Sequence, residues 1–563
     1  MLETRSDRVQ RLHSRWLSRL VIAAAIPACA DELDRESMTS AAVAPKLAWQ
    51  VVVNNGVQVP SDARNFNSYN QPSINIAQLV VFRARSRGGA GGEPAHGVFA
   101  RDMAARTSVI SVFDRTTVVP QPNNLGTTFV EPPSFPRIDM SSDTIASRGG
   151  HPPVWEYMLP DGSETRAGTT GIYTNPFGAL ITGASNVGAA PGFEFFAVPY
   201  TSSIKFDVFP GAPAVTDGNT IVFKGNHTDG GAQTGVYYRD LTDAAIPGPG
   251  ATTLAPAGGT SPVILIADTK TLIPGTSTLF GSTAPPSAAG RQAVFAGFDI
   301  EAAPTLGGIY QAPLSGAKPP LTALVKIGDK VPGETNEVFD KLGEGLSFDG
   351  RFVAFWGAWG SETRALLLVC PTEGNRDRVA YCNAQHPDGF ATTVPANQGI
   401  FVHDTWLRVT YAVAKTADDF DDFVYWNFSG RVPGTGGSED DDGEPARWRS
   451  ASFVAVSGLV YDGLDDATFH AAFKARTGAT NGIYLRRGPG RTKFQTVVET
   501  GMSGTVFDPA AVASDEETGE TVVLPVTEMG IERDGFRGSS LVVNVSMGTE
   551  EAGWAGIYLT TVR

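Results

Sequence analysis

The residues whose types and spacing could do chemistry are few, and they do not form a catalytic set. Asp268 and Asp329 each stand where the chain leaves a strand-like run, in Ala267-Asp268-Thr269-Lys270-Thr271-Leu272-Ile273-Pro274-Gly275 and Gly328-Asp329-Lys330-Val331-Pro332-Gly333. Repeated carboxylates beside glycine are oxygen ligands that could hold Ca²⁺. The same pattern more often caps a turn by accepting nearby backbone N–H groups. Cys370 and Cys382 flank a polar excursion, which a disulfide could close; two unrelated thiols are the alternative. Zinc is a poor fit, because only His386 lies nearby and four ligands are needed. Cys29 is the third cysteine and follows Ile26-Pro27-Ala28, a loose lipoprotein-type pattern that would make it a lipidation site.

The remaining candidates are weaker. Asp418-Asp419-Phe420-Asp421-Asp422 and Glu439-Asp440-Asp441-Asp442 read as solvated loop, with weak cation binding as the sharper alternative. His403-Asp404 could face a channel but reads as an ordinary loop pair. No nucleophile elbow, P-loop or dinucleotide fingerprint occurs, and no cofactor is expected apart from the Ca²⁺ option. A formal charge of -15 argues against nucleic acid as a partner, since phosphate binding needs a basic face.

The elements that must position these residues are repeats. A Gly-apolar-aromatic triplet occurs at Gly97-Val98-Phe99, Gly171-Ile172-Tyr173, Gly235-Val236-Tyr237, Gly308-Ile309-Tyr310, Gly399-Ile400-Phe401, Gly482-Ile483-Tyr484 and Gly556-Ile557-Tyr558. The copies lie about 75 residues apart, a period of one β-unit. Each is preceded by a short apolar run, as in Leu79-Val80-Val81-Phe82 and Val353-Ala354-Phe355. A strand apolar on both faces must be covered on both, as a blade is between its neighbours. The composition suits short strands and turns: 42% hydrophobic, 18% charged, Gly 63 and Pro 38 in 563 residues.

We therefore expect an all-β fold, a seven-bladed β-propeller of four-stranded antiparallel blades. The last triplet leaves no room for a fourth strand, while Trp49-Gln50-Val51-Val52-Val53-Asn54 precedes the first blade. This N-terminal strand is expected to complete the last blade and close the ring.

The expected organisation is a targeting segment at 1–30, a linker at 31–44 and one propeller domain at 45–563. Arg5, Arg8, Arg11, Arg15 and Arg19 precede the apolar run Leu20 to Ile26, and Ala28-Cys29-Ala30 follows. That is an export-signal pattern, with a lipoprotein signal and an organelle transit peptide as the competing readings. No apolar run reaches the roughly 20 residues of a transmembrane span.

Pro72-Ser73-Ile74-Asn75-Ile76-Ala77-Gln78-Leu79-Val80-Val81-Phe82-Arg83-Ala84 resembles the repeat of a group of exported, functionally uncharacterised bacterial β-propeller-like proteins. Their repeats run P-S-I-N-x-x-G-x-V-A-F-R-A, then G-I-[FY], then a Gly-Asp-x-x-Pro-Gly exit; Gln78 stands where they carry Gly. Ser347-Phe348-Asp349-Gly350-Arg351-Phe352-Val353-Ala354-Phe355 is similar, more loosely, to a TolB-like propeller repeat. These resemblances imply a propeller and an exported location, secreted or at the cell surface. They imply no activity and no catalytic residues.

The functional expectation is a binding or scaffold module for an extracellular protein or glycan, without evident catalysis. Two alternatives stand beside it. One is an extracellular polysaccharide hydrolase or lyase with its site in the propeller funnel. The other is a structural cell-surface component, which a lipid anchor on Cys29 would favour.

Overall fold

The triplet is the third strand of a four-stranded blade, and the blade is built around it. The second strand pairs with it on one side and places an apolar or small residue opposite its aromatic: Phe82 against Phe99, Ser147 against Tyr173, Phe223 against Tyr237, Phe295 against Tyr310, Phe355 against Phe401, Phe473 against Tyr484 and Val543 against Tyr558. The outer strand pairs on the other side and in every blade carries one extra residue. It is inserted between the partners of the triplet's apolar and aromatic positions: Val112, Gly183, Ile266, Leu324, Val413, Val497 and, in the last blade, Val52. Such a bulge sharpens the local twist of an outer strand.

The bulge and the aromatic together explain the glycine. A Cβ on Gly97 would lie 2.6 Å from the Phe113 carbonyl oxygen, and one on Gly399 would lie 2.5 Å from that of Ala414. At Gly235 and Gly482 the obstruction is the tyrosine two residues on, at 2.6 and 2.7 Å.

The computed structural model describes residues 47–563 except 61, 89–92, 124, 153–154, 159–161, 168–169, 202–203, 248–253, 257, 373–374, 419, 431, 434–444, 462–463, 491, 515–518, 550–551 and 563. The expected targeting segment, the linker to residue 44, Cys29 and the run Glu439 to Asp442 lie outside the described residues. The compact unit is Leu47–Arg563. No helix among the described residues is long and apolar enough to cross a membrane.

Seven antiparallel sheets follow in chain order. Blade 1 has second, third and outer strands Leu79–Ser86, His96–Asp102 and Ile110–Asp114. Blade 2 has Ile145–Gly150, Thr170–Phe177 and Ala179–Ser185. Blade 3 has Thr220–Thr228, Ala232–Asp240 and Ile264–Asp268, and blade 4 has Gln292–Phe298, Gly307–Pro313 and Thr322–Lys326. Blade 5 has Phe352–Leu368, Phe390–Asp404 and Val409–Lys415, and blade 6 has Leu464–Thr477, Thr480–Gly488 and Gln495–Glu499. Blade 7 has Ser540–Gly548 and Gly553–Thr561, and its outer strand is Trp49–Asn54, paired from Trp49 against Thr560 to Asn54 against Gly556. The N-terminal strand thus closes the ring.

The inner strands are Ser73–Ile74, Arg137–Ile138, Ala214–Thr216, Ser287–Ala289, Ser347–Phe348, Val454–Tyr461 and Phe536–Arg537. Each touches the inner strands of the blades before and after it, and the seventh touches the first. The apolar core lies between blades. One cluster joins Val52, Val53 and Ile557 of blade 7 to Val80, Phe82 and Phe99 of blade 1 across the closure.

An aromatic that the sequence reading did not single out recurs in all seven blades. Phe66, Phe129, Phe206, Phe280, Phe339, Phe420 and Phe507 each pack on the triplet aromatic, with centroids 4.7 to 5.8 Å apart. Most of these contacts are edge-to-face, the arrangement favoured by ring quadrupoles. Its sequence signal was spacing from the exit proline: Pro60 to Phe66, Pro274 to Phe280, Pro332 to Phe339.

Candidate functional site

The inner strands bring one position from each blade to the axis of the ring. Strand register makes these Ser73, Arg137, Ala214, Ser287, Ser347, Ala455 and Gly535. Six are small, as crowding at an axis requires. The seventh is arginine, and its side chain, 1% exposed, fills the centre.

Arg137 Nε pairs with Asp534 Oδ2 of blade 7, and Nη2 donates to Ser287 Oγ of blade 4 at 3.2 Å. The other Asp534 oxygen pairs with Arg537. Arg537 also donates to Phe348 O at 3.1 Å and Val456 O at 3.3 Å, on blades 5 and 6. Arg533 Nε meets Glu532 Oε1 at 3.0 Å. The hydroxyls of Ser287 and Ser347 donate to Leu346 O and Arg533 O, each at 2.6 Å. Burial disfavours the charge on Asp534, but the guanidiniums of Arg137 and Arg537 outweigh it and hold the carboxyl below its usual range. Asp349 is held the other way. Burial raises it, although its oxygens accept from the N–H groups of Arg351, Phe352 and Gly458.

The second distinctive region is an arm on blade 5. Its second strand runs 17 residues and its third 15, paired continuously to Leu368 against Phe390 apart from one irregularity. Equivalent second strands in blades 1, 2, 3, 4 and 7 have 6 to 9 residues, and that of blade 6 has 14. The arm ends in a helix, Arg376–Gln385, whose start is capped by Asn375 accepting from the N–H of Arg378 at 2.9 Å. Cys370 and Cys382 form a disulfide there, with Cα atoms 5.8 Å apart. Phe428 and Trp448, from the hairpin Tyr425–Ser429 and Arg447–Ala451, pack over it with Tyr381. Two apolar residues on the arm stay in solvent, Leu367 at 60% and Val369 at 73% exposure. At the opposite end of the same blade, Trp406 is 59% exposed on the turn after Asp404, with the Arg351 guanidinium 4.5 Å from its ring centroid.

The sequence candidates fall elsewhere. Asp268 caps the turn after its strand, accepting from Lys270 N at 3.0 Å and Thr271 Oγ1 at 2.7 Å. Asp329 caps the corresponding turn from the other end, accepting from Lys326 N at 2.8 Å. Register puts Asp268 opposite the triplet glycine of blade 3, where blade 4 has Lys326. The two aspartates are thus not equivalent positions. Among the described residues no group of three or more His, Cys, Asp or Glu converges as a metal site would require.

His403 lies buried in the third strand of blade 5, its Nδ1 3.0 Å from Thr410 Oγ1, and burial pushes it down to about 4. Asp404 is paired with Arg351 at 2.7 Å. The reading of the run Asp418 to Asp422 as solvated loop is corrected at Asp422 alone; Asp421 is exposed, and Asp419 lies outside the described residues. Asp422 is buried and accepts from Arg364 and Arg476, each at 2.6 Å, and from Gln398 at 3.0 Å, tying the arm to blade 6. Asp418 caps Lys415 N at 3.1 Å and Asp421 accepts from Gly478 N.

No protein-family model matches the chain, and no curated protein matches it. Solved structures similar to it include the Penicillium chrysogenum alpha-L-arabinanase complexed with arabinobiose, at 9% identity and TM-score 0.29, over 92% of this chain and 98% of that one. A second comes from work on the GH130 family, described as containing glycoside hydrolases that target beta-1,2 mannosidic linkages in Candida mannan. It has 12% identity and TM-score 0.22, over 56% of this chain and 89% of that one. A third is fructan 1-exohydrolase IIa from Cichorium intybus, at 8% identity and TM-score 0.21, over 88% and 94%.

Proposed function

We propose that this chain is an exported β-propeller scaffold that binds an extracellular protein through its blade-5 arm. The observation that carries the reading is the arm itself. Second strands of 6 to 9 residues suffice in five blades and blade 6 has one of 14, so the 17-residue strand of blade 5, carried on into a helix closed by a disulfide, extends beyond what closure needs. The exposed Leu367 and Val369 offer an aliphatic contact of the kind protein interfaces bury. A disulfide at the arm's tip fits an oxidising compartment.

The axis supports a scaffold rather than a funnel enzyme. Glycoside cleavage uses one carboxyl as acid and another as base or nucleophile. Among the described residues near the axis, Glu532 and Asp534 are committed to Arg533, Arg137 and Arg537, and Asp349 accepts from three backbone N–H groups. A glycan is the second reading, favoured by the exposed ring of Trp406, an aromatic platform for a sugar.

The experiment is capture from the extracellular fraction, with intact chain beside a Leu367→Asp/Val369→Asp variant and a Trp406→Ala variant. Capture lost only in the arm variant supports the proposal. Capture lost only in Trp406→Ala moves the site to the opposite face and favours a glycan. Capture indifferent to both contradicts it.

A further inference from the structure

We infer that a partner protein engages the blade-5 arm by adding an extended strand to one open edge of it, Thr363 to Leu368. The inference rests on the reading of the arm as the binding element and names how that element binds. Beyond Trp359 and Gln398 the second and third strands of blade 5 pair only with each other. The arm is therefore a two-stranded ribbon with two open edges. One face is covered, since Leu368 and Val394 are buried. On the other, Thr363, Ala365 and Leu367 are exposed, as are Ala391 and Thr393 across the ladder.

Outer strands elsewhere in the ring have blunted edges. Each carries the bulge described above, which twists an edge away from the flat register that a new strand needs. The arm has no bulge between Thr363 and Leu368, which run in unbroken register against Pro395 to Phe390. Nor do free charges guard this edge. Its one charged residue, Arg364, is held by Asp422 at 2.6 Å. Among the described residues, no backbone group of Thr363 to Leu368 bonds anything outside the ribbon. The ribbon's other edge is interrupted by Pro395, which has no N–H to give and whose carbonyl accepts from Gln398 Nε2 at 3.1 Å. An extended peptide satisfies the open row of N–H and C=O groups and sets alternate side chains beside Ala365 and Leu367. The partner segment is thus uncharged on that face, with β-branched or small residues at every other position.

The probe is a labelled peptide of alternating threonine and valine, as long as this edge. Beside it stands the same peptide N-methylated at every residue, which keeps the side chains and removes the donors. Fluorescence anisotropy with the intact chain should rise for the first and stay flat for the second. Amide exchange in the complex should slow within Thr363 to Leu368 and not along the outer strands. Equal binding of both peptides, binding of neither, or protection elsewhere overturns the proposal. Amides already slow at this edge in the chain alone, where light scattering reports a dimer, assign it to a second copy and overturn the proposal too. The arm reading keeps its own capture experiment. Capture lost in Leu367→Asp/Val369→Asp together with failure of the peptide test means that the arm binds by its exposed face and not by its edge.

Discussion

Arg137 and Asp534 belong to blades 2 and 7, which are not neighbours, yet their side chains meet on the axis of the ring. Blade 1 lies between them, and Ile74 of its inner strand donates its N–H to Asp534 O at 3.0 Å. The contact therefore clamps three blades across the seam where the chain closes on itself.

Removing the acid should cost more than removing the base. Asp534→Asn leaves two buried guanidiniums facing no carboxylate, a loss of about 3–5 kcal/mol. Arg137→Met leaves Asp534 still paired with Arg537 and fills the axis with an apolar side chain of similar reach, so its loss should be smaller. Urea denaturation of both variants measures the order. A depressed carboxyl stabilises the fold above its unfolded pKa and loses that contribution as pH falls through the folded value. Asp534→Asn should therefore flatten the acid limb below about pH 4.

Histidine adds a second acid dependence. Burial lowers His151, His403 and His470 to about 4, and Nδ1 of His470 has no hydrogen-bond partner among the described residues. The unfolded chain binds protons on these rings from about pH 6.5, the folded chain only near 4. Stability should fall as pH drops through that interval. His403→Gln should reduce the slope, read from denaturation midpoints at a series of pH values.

The triplet glycine gives a steric prediction. Gly97→Ala forces a Cβ against outer-strand backbone and should cost about 1–3 kcal/mol. Gly553→Ala meets nothing within 4 Å and should be close to neutral. Thermal melting of the pair distinguishes packing at the bulge from a general effect of alanine.

Ring closure has its own clamp. Asp508 Oδ2 accepts from Asn54 Nδ2 at 2.7 Å and Trp554 Nε1 at 3.0 Å, joining the N-terminal strand to the last one. Asp508→Ala should destabilise the ring. Truncation through Asn54 should do worse, because it exposes the edge of Gly553–Thr561 as a template for association. Light scattering of the truncated chain should show self-association that the intact chain lacks.

Blade count and closure were legible because both rest on a pattern that the chain writes repeatedly: Gly171-Ile172-Tyr173 and its six counterparts, each with a preceding apolar run. The outer-strand bulge was not legible, since it depends on register between strands rather than on any residue type. The axial cluster was hidden for a different reason. Arg137 and Asp534 are 397 residues apart, and no local pattern marks the one inner position of seven that carries a long side chain. Asp422 was misread because acidic runs usually face solvent, whereas Arg364 and Arg476 converge on this one only after folding.

The most direct test of the account is a polysaccharide and partner-binding assay run with reducing-end release as a parallel readout, comparing intact chain, Leu367→Asp/Val369→Asp and Asp534→Asn. The account predicts binding that the arm variant loses and Asp534→Asn retains wherever it remains folded, with no reducing ends released. Release of reducing ends that survives the arm substitutions and is lost in folded Asp534→Asn would contradict it and place an enzyme at the axis.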